Sequence, residues 1–365
     1  MSLQPFRLWT EFVLHFHSMD LCKDLKLASF LLTSFVIRVW SWVRPPRVFV
    51  FYLDPALGRK GEAVAYEFNQ HGIPAQIASS LSRSTRLLLK STSDLWVGLW
   101  NSVPVELLPK NYVFWNGEPT NHAAWNDKHD WEKDTDEAAP VRWHESALQR
   151  RNWEMAAQYS IAIWGYTPET CDFAVQAKKP FTWVPFGYSP YYEQVFGEMT
   201  GGHRPDQDID VLFFGWMTAR RKRLLDQLQE SGVKCMFISQ HHPVRGVELE
   251  RLIARSKIIL GIFGYEDTQT HVPDLARFDY ILSNRLFLLH EKLSSAVHDP
   301  DFVANIPLFE YDCVVRECLH YLSNKELRDQ RAQQAYEWFK ESRALAKFIP
   351  FDEVRRLYRR RGILS

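Results

Sequence analysis

The sequence predicts an α/β protein with two tandem domains, each built on a doubly wound, mostly parallel sheet. Short apolar runs alternate with helical segments from residue 47 to about residue 340. Strands that alternate with helices favour parallel sheets, because each helix carries the chain back across a sheet face. A stretch rich in Gly, Pro and charge at 197–208 predicts the interdomain linker. The chain has 365 residues, which is long enough for two separate cores.

The composition limits the partners and the metal chemistry that the chain can use. Its formal net charge is zero and its pI is near 7.2, so no general field attracts nucleic acid, and none is predicted as a partner. The five cysteines form no Cys-x-x-Cys pair. Their scatter argues against a zinc site or a disulfide framework and favours a reducing, cytoplasmic compartment. We therefore expect no metal and no cofactor.

Residues 1–46 are predicted to form a helical, amphipathic extension. The stretch 27–43 is strongly apolar but is interrupted by Arg38, and it is shorter than the ~20 residues that cross a bilayer. A helix packed on the protein's own surface, an interfacial helix on the cytoplasmic membrane face and a signal anchor all stay open. Pro45 and Pro46 end this element.

The first domain is predicted over residues 47–200. It opens with an apolar strand at 48–53, followed by a loop and a helical stretch that ends near Gly72. Later strands are predicted at 75–78, 95–99, 112–115, 161–164 and 181–184. The polar stretch 127–139 is predicted to be a surface insertion.

The second domain is predicted over residues 206–340, and its first strand carries the clearest chemical signal. An apolar run at 210–214 stops at Gly215, and after a short turn four cations at 220–223 open a helix. A buried parallel strand that enters a helix through a glycine turn presents backbone N–H groups and a positive dipole end above the sheet edge. These features predict an anion site, most naturally for a diphosphate. Residues 341–365 are predicted to form a helical tail.

Several segments resemble a known family. Residues 213–223 resemble the Phe-Tyr-Gly-Ser-x-x-x-Arg-Arg-Lys run of bacterial and viral GT-B glycosyltransferases with a group 1-like C-terminal domain. The other similar segments are 164–169, 184–190, 255–260 and 275–285, so the likeness covers about residues 95–295. The resemblance implies two Rossmann-like sheets and transfer of a sugar, such as a hexose, from a nucleotide-diphosphate donor without a metal. The acceptor would be a hydroxyl on a glycan, a lipid or a small molecule, as in polysaccharide biosynthesis.

The resemblance also implies roles for residues of the second domain. Gly215 would let the backbone approach the donor phosphates, and Arg220 and Lys222 would neutralise the leaving diphosphate. Arg221 and Arg223 are expected to lie on a solvated helix face. The remaining donor-site candidates are Phe263 and Tyr265 as walls for a base or sugar, Arg277 for the phosphate or for a pair with Asp274, and Asp279 for the ribose.

The acceptor side should supply a general base if the reaction inverts the anomeric centre. Glu118 is the first candidate and His122 the second, since both follow the predicted strand 112–115 at the carboxyl edge of the first sheet. The Glu-x7-Glu arrangement of many retaining GT-B enzymes is missing, so the stereochemistry stays open. His241 and His242 lack a third ligand at helical spacing and predict no metal site.

Other classes of protein share parts of this pattern. A nucleotide- or sugar-binding protein without catalysis could have both sheets and the basic turn. An NAD-dependent oxidoreductase is a weaker alternative, because residues 54–58 stand where the Gly-x-Gly-x-x-Gly motif would follow the first strand. A membrane scaffold recruited through residues 27–43 is a third alternative.

Overall fold

A computed structural model describes most of the chain from residue 47 to residue 359. The described ranges are 47–52, 58–79, 94–99, 108–116, 151, 154–168, 170–239, 242–264, 275–292 and 299–359. Within them the chain forms two α/β domains, each around a parallel sheet, which confirms the predicted fold class. The predicted N-terminal extension and the predicted insertion at 127–139 lie outside the described residues.

The first domain contains a sheet with the strand order β2-β1-β3-β4-β5-β6, in which every pair is parallel. Its strands are β1 (Val48–Phe51), β2 (Ala75–Ala78), β3 (Leu95–Leu99), β4 (Tyr112–Asn116), β5 (Ala162–Gly165) and β6 (Phe181–Trp183). All residues of β1 and β4 are buried, as expected for central strands with both faces covered. The helices α1 (Gly58–Gln70) and α2 (Thr170–Gln176) belong to this domain.

The linker helix α3 (Pro190–Thr200) connects the two domains. Its N-cap is Ser189, whose side chain accepts a hydrogen bond from the Tyr191 amide, and Pro190 occupies the first turn. The helix ends at Gly201, which adopts φ +63°. The chain then runs without regular structure to the second sheet.

The second sheet has the strand order β11-β10-β9-β7-β8. Its strands are β7 (Ile209–Phe214), β8 (Cys235–Ile238), β9 (Ser256–Gly261), β10 (Leu288–Glu291) and β11 (Leu308–Phe309). The helices are α4 (Ala219–Glu230), α5 (Gly246–Ala254), α6 (Leu275–Ser283), α7 (Pro300–Asn305) and α8 (Val314–Ser323). From β7 the chain goes first to β8 on one side and then to β9 on the other, so the order reverses here. In open α/β sheets, ligands bind outside the carboxyl ends of the strands at such a switch point.

The C-terminal helices α9 (Lys325–Ser342) and α10 (Phe351–Arg359) carry the chain back to the first domain. The Tyr188 amide donates to the Arg343 carbonyl at 2.8 Å, and a side chain at Gly187 would collide with that carbonyl. Farther along, the ring of Phe351 stacks on His71 of the first domain at 3.9 Å between centroids. Glycine at 187 therefore permits the close backbone approach through which the tail braces the first domain.

Within the described ranges, every helix is too short or too polar to cross a bilayer. The apolar stretch 27–43 lies outside those ranges. Its three alternatives therefore stay predictions.

Candidate functional site

Several polar groups converge at the carboxyl ends of β7, β9 and β10. We call this region the switch-point edge and define it by Gly215 after β7, the segment 262–264 after β9, and Glu291 at the end of β10. Helix α4 begins here, so the positive end of its dipole faces the edge. The strand order and the helix dipole together place a candidate anion site at this edge.

The Arg277 guanidinium lies close to Gly215 at the edge. Gly215 adopts φ +150°, and a Cβ built there would lie 3.0 Å from Nη1 and 3.1 Å from Cζ of Arg277. The Gly215 amide donates to the Ile238 carbonyl at 3.0 Å. This hydrogen bond anchors the start of the β7–α4 turn on the end of β8. Glycine is needed twice, once for the positive φ and once for the approach of the guanidinium. The structure thus brings Gly215 together with Arg277, for which the resemblance implies contact with the phosphate or a pair with Asp274. Asp274 lies outside the described residues.

The turn after Gly215 is tied to the segment beyond β9. Thr218 is the N-cap of α4, and its Oγ1 accepts from the Arg221 amide at 3.2 Å. The same hydroxyl donates to the Gly264 carbonyl at 3.0 Å. One side chain therefore caps the helix and joins two loops of the switch-point edge.

Arg221 strengthens this connection from within the protein. Its Nε and Nη2 donate to the Ile262 carbonyl at 3.0 and 2.7 Å, and its Nη1 donates to the Trp216 carbonyl at 2.7 Å. The side chain is buried, so the expectation that Arg221 lies on a solvated helix face is wrong. The Ile262 carbonyl lies just beyond β9 and the Trp216 carbonyl lies in the turn after β7, and the buried guanidinium satisfies both.

Arg220 is held by a carboxylate that the sequence did not single out as a site residue. Its Nη1 donates to Glu291 Oε2 at 2.9 Å and its Nη2 donates to Oε1, which makes a bidentate pair. Nη1 also donates to the Phe263 carbonyl at 3.0 Å, and the guanidinium lies 4.0 Å from the ring centroid of Tyr311. The Phe263 amide donates to Glu291 Oε2 at 2.9 Å. Arg220 therefore lies at the edge, but it shares its charge with Glu291 and positions the backbone of residue 263.

Lys222 lies farther along α4, on its exposed face. Its ammonium donates to Asp226 Oδ2 at 2.7 Å, an i,i+4 pair in which the lysine side chain is 65% exposed. Of the two cations predicted for the diphosphate, the structure places Arg220 at the edge and Lys222 on the helix surface. Donor binding by Lys222 stays a prediction.

Phe263 is half-buried beside His290, with 5.0 Å between their ring centroids. His290 is buried, and its Nδ1 lies 2.6 Å from the Glu291 carbonyl oxygen, so this nitrogen donates. A side chain at Gly261 would collide with the His290 ring. The other wall candidate, Tyr265, and both base candidates, Glu118 and His122, lie outside the described residues.

Asp279 lies at the contact between the domains. It follows Arg277 by two positions on α6 and therefore occupies a different face of the helix. Its Oδ2 accepts from the Tyr192 hydroxyl at 2.8 Å, and its Oδ1 lies 3.5 Å from Nζ of Lys60. Burial raises the pKa of this carboxyl, and the Lys60 ammonium opposes that shift. The structure brings Asp279 together with α1 and α3, while its predicted contact with a ribose stays a prediction.

A second interdomain ion pair lies beside it. Nε and Nη2 of Arg59 on α1 donate to the two carboxylate oxygens of Glu250 on α5 at 2.6 and 3.1 Å. The hydroxyl of Tyr191 donates to Glu62 at 2.7 Å, and burial raises the pKa of Tyr191 to about 12. The adjacent cations Arg59 and Lys60 of α1 therefore each pair with an acid of the second domain, Glu250 and Asp279. The sequence contains no local signal for these two pairs. Glu291 does have one, because it is an acid at the end of an apolar strand.

Metal chemistry has no visible support in the described ranges. They contain no group of three or more His, Cys, Asp or Glu side chains placed to hold an ion. His241 lies outside those ranges. Metal independence stays a prediction.

Comparison with known proteins shows similarity at the level of fold. No protein-family model matches the chain, and no curated protein matches it either. A sucrose-phosphate synthase from Thermosynechococcus elongatus has a similar structure, with a TM-score of 0.50, 9% identity, and coverage of 88% of this chain and 100% of that one. An alpha-glucosyltransferase solved with UDP and a 13-mer DNA gives a TM-score of 0.48 at 9% identity, covering 86% and 100%. A putative UDP-N-acetylglucosamine 2-epimerase from Listeria monocytogenes gives 0.43 at 10% identity, covering 81% and 92%.

At these identities a structural likeness shows the fold and not the activity. The assignment of the fold rests on the sucrose-phosphate synthase, because the TM-scores of the other two structures are below 0.5. The chain therefore has the two-domain GT-B fold, as the resemblance implied.

Proposed function

We propose that the protein is a glycosyltransferase that transfers a sugar from a nucleotide-diphosphate donor to an acceptor hydroxyl, without a metal. One observation carries the proposal. The Arg277 guanidinium lies over Gly215 at the switch point of the second sheet, beside the N-terminus of α4. A guanidinium, a glycine backbone and a helix N-terminus in one place suit a diphosphate.

The chemistry follows from where charge develops. The acceptor oxygen forms a bond to the anomeric carbon, the bond from that carbon to the phosphate oxygen breaks, and negative charge grows on the diphosphate. Cationic and N–H donors that are in place before the reaction stabilise that charge, each by about 3 to 4 kcal/mol when it acts like an oxyanion donor. Arg277 is the first residue proposed for this role, and Arg220, which is paired with Glu291, is the second.

The acceptor hydroxyl must also lose its proton. If the reaction inverts, Glu118 is the proposed base and His122 the second choice. Phe263 and Tyr265 are proposed as walls for the base or sugar of the donor, and Asp279 for the ribose. A glycan, a lipid or a small molecule is the proposed acceptor, and the cytoplasm, including its membrane face, is the proposed location.

A ligand panel with matched variants tests the proposal. Thermal unfolding and donor turnover are measured with uridine, UDP, UDP-glucose, UDP-N-acetylglucosamine, GDP, GDP-mannose and NAD. The variants are Arg277→Ala and, as the control, Arg255→Ala, because Arg255 immediately precedes β9, at the sheet edge opposite the candidate site, and pairs there with the exposed Asp208. We expect a diphosphate to raise Tm where its nucleoside does not, and we expect only Arg277→Ala to abolish that rise.

The same panel separates the alternatives. Equal stabilisation by uridine and UDP would contradict the proposed anion site. Stabilisation by a nucleotide sugar without its consumption, in the presence of glycan, lipid and small-molecule acceptors, would indicate a binding protein. Stabilisation by NAD alone would indicate the oxidoreductase. A short DNA belongs among the acceptors, because modification of DNA would contradict the prediction that no nucleic acid is bound.

A further inference from the structure

Trp216 is exposed directly beside the candidate anion site. Its side chain follows Gly215 in the turn between β7 and α4 and is 43% exposed. Among the tryptophans that the structure describes, only Trp216 is exposed. The others, Trp96, Trp115, Trp164, Trp183 and Trp338, are buried or partly buried. A large aromatic side chain at the surface leaves apolar area in water that a ligand could cover.

The backbone around Trp216 is fixed from both sides. The Trp216 carbonyl accepts from Nη1 of the buried Arg221 at 2.7 Å, and Arg221 is itself bound to the Ile262 carbonyl. One residue earlier, the Gly215 amide donates to Ile238, and two residues later the Thr218 hydroxyl donates to Gly264. The indole is therefore presented from a preorganised turn, so holding a ligand against it costs little backbone entropy.

The chemistry of this side chain suits a ring better than a phosphate. An indole carries one N–H donor, but most of its surface is a flat apolar face. Trp216 is therefore better suited to contact with a ring next to the phosphates than to contact with the phosphates themselves.

We propose that Trp216 is the stacking platform for the sugar ring of the donor. The inference rests on the proposed function, because it takes the diphosphate to lie at Gly215 and Arg277. The transferred sugar is bonded directly to the outer phosphate, whereas the base is separated from it by a second phosphate and a ribose. A side chain one residue from the phosphate-binding glycine is therefore expected to lie closer to the sugar than to the base. The C–H face of a pyranose packs well against the electron-rich face of an indole.

Calorimetric titration compares each nucleotide sugar with its own diphosphate. UDP-glucose and UDP-N-acetylglucosamine are measured against UDP, and GDP-mannose against GDP, on the wild type and on Trp216→Ala, Trp216→Leu and Trp216→Phe. For the sugar nucleotide that the wild type binds, we expect Trp216→Ala and Trp216→Leu to raise Kd roughly tenfold or more. The Kd of the matching diphosphate should change less than about twofold. Trp216→Phe should restore most of the affinity, since it keeps an aromatic face.

The control is Tyr159→Ala, which removes an exposed aromatic side chain from the first domain and should change neither affinity. Equal weakening of the diphosphate and the sugar nucleotide would show that Trp216 serves the nucleotide part, and it would overturn the inference. Unchanged binding by Trp216→Leu would overturn it as well. If the wild type binds none of these compounds, the proposed function itself fails, which is a different result from loss of sugar discrimination.

Discussion

The Nη1 atom of Arg277 lies 3.0 Å from the point where a Cβ of residue 215 would stand, so Gly215 and Arg277 depend on each other. We expect Gly215→Ala to displace the guanidinium and to strain a backbone at φ +150°. The variant should bind UDP at least about tenfold more weakly, which corresponds to about 1.4 kcal/mol. Calorimetric titration measures this loss.

The control for this prediction is Gly232→Ala. Gly232 adopts φ +80° in the same domain, but a Cβ there would meet nothing within 4 Å. This variant should lose about 1 kcal/mol of stability and keep its affinity. Equal affinities of the two alanine variants would contradict the dependence of Arg277 on Gly215.

Arg220 and Lys222 are two positions apart on α4 and should respond very differently to truncation. Arg220→Ala leaves the buried Glu291 carboxylate without its bidentate partner, so we expect the free energy of unfolding to fall by about 3 kcal/mol. Lys222→Ala removes an exposed i,i+4 pair and should cost less than about 0.5 kcal/mol. Urea unfolding measures both losses. An equal loss for Lys222→Ala and Arg220→Ala would contradict this prediction, because it would show that the exposed Lys222 contributes as much to stability as the buried pair.

The fold could be predicted because its signals are local. The strand predicted at 210–214 corresponds to β7 (Ile209–Phe214), and the one at 112–115 corresponds to β4 (Tyr112–Asn116). In both strands, consecutive apolar residues are buried on both sheet faces, and the apolar run ends at a glycine or an asparagine. Local pattern was therefore sufficient for the architecture.

The site was predicted less completely, because its contacts join distant parts of the chain. Arg220 and Glu291 are 71 positions apart, and no local pattern connects them. The pattern of helix α4 alone predicts Arg221 on a solvated face. In the structure, the Ile262 carbonyl just beyond β9 binds the Arg221 guanidinium in the interior. The position of this carbonyl depends on how β7 and β9 pair, which the pattern of a single helix does not contain.

The bidentate pair between Arg59 and Glu250 should stabilise the contact between the domains. Its partners are 29% and 7% exposed, so solvent screens it only in part, and we expect Glu250→Gln to cost about 1 to 2 kcal/mol. The comparison is Asp208→Asn, which breaks the Arg255 pair in the second domain, where both side chains are more than 40% exposed. That variant should lose much less stability, because solvent screens an exposed pair. Thermal unfolding that ranks the two variants in the opposite order would argue against a stabilising interdomain pair.

The buried carboxyl of Asp279 should make stability depend on pH in an unusual direction. Burial raises its folded pKa above its ordinary value of 3.8, so the folded state holds this proton more tightly than the unfolded state does. The stability that this group contributes is complete below 3.8 and is lost as the pH rises through the folded pKa. Tyr192, whose pKa is raised well above its ordinary value, stays neutral across this window.

We therefore expect the wild type to lose stability relative to Asp279→Asn as the pH rises from about 4 toward neutrality. Urea midpoints of the two proteins, measured at several pH values, give the difference, in which the contributions of other buried acids largely cancel. A difference that moves the other way would show that the attraction of Lys60 outweighs burial, because a paired carboxylate gains stability as it ionises. The direction of this slope therefore decides whether the charge at Asp279 stabilises or weakens the contact between the two domains.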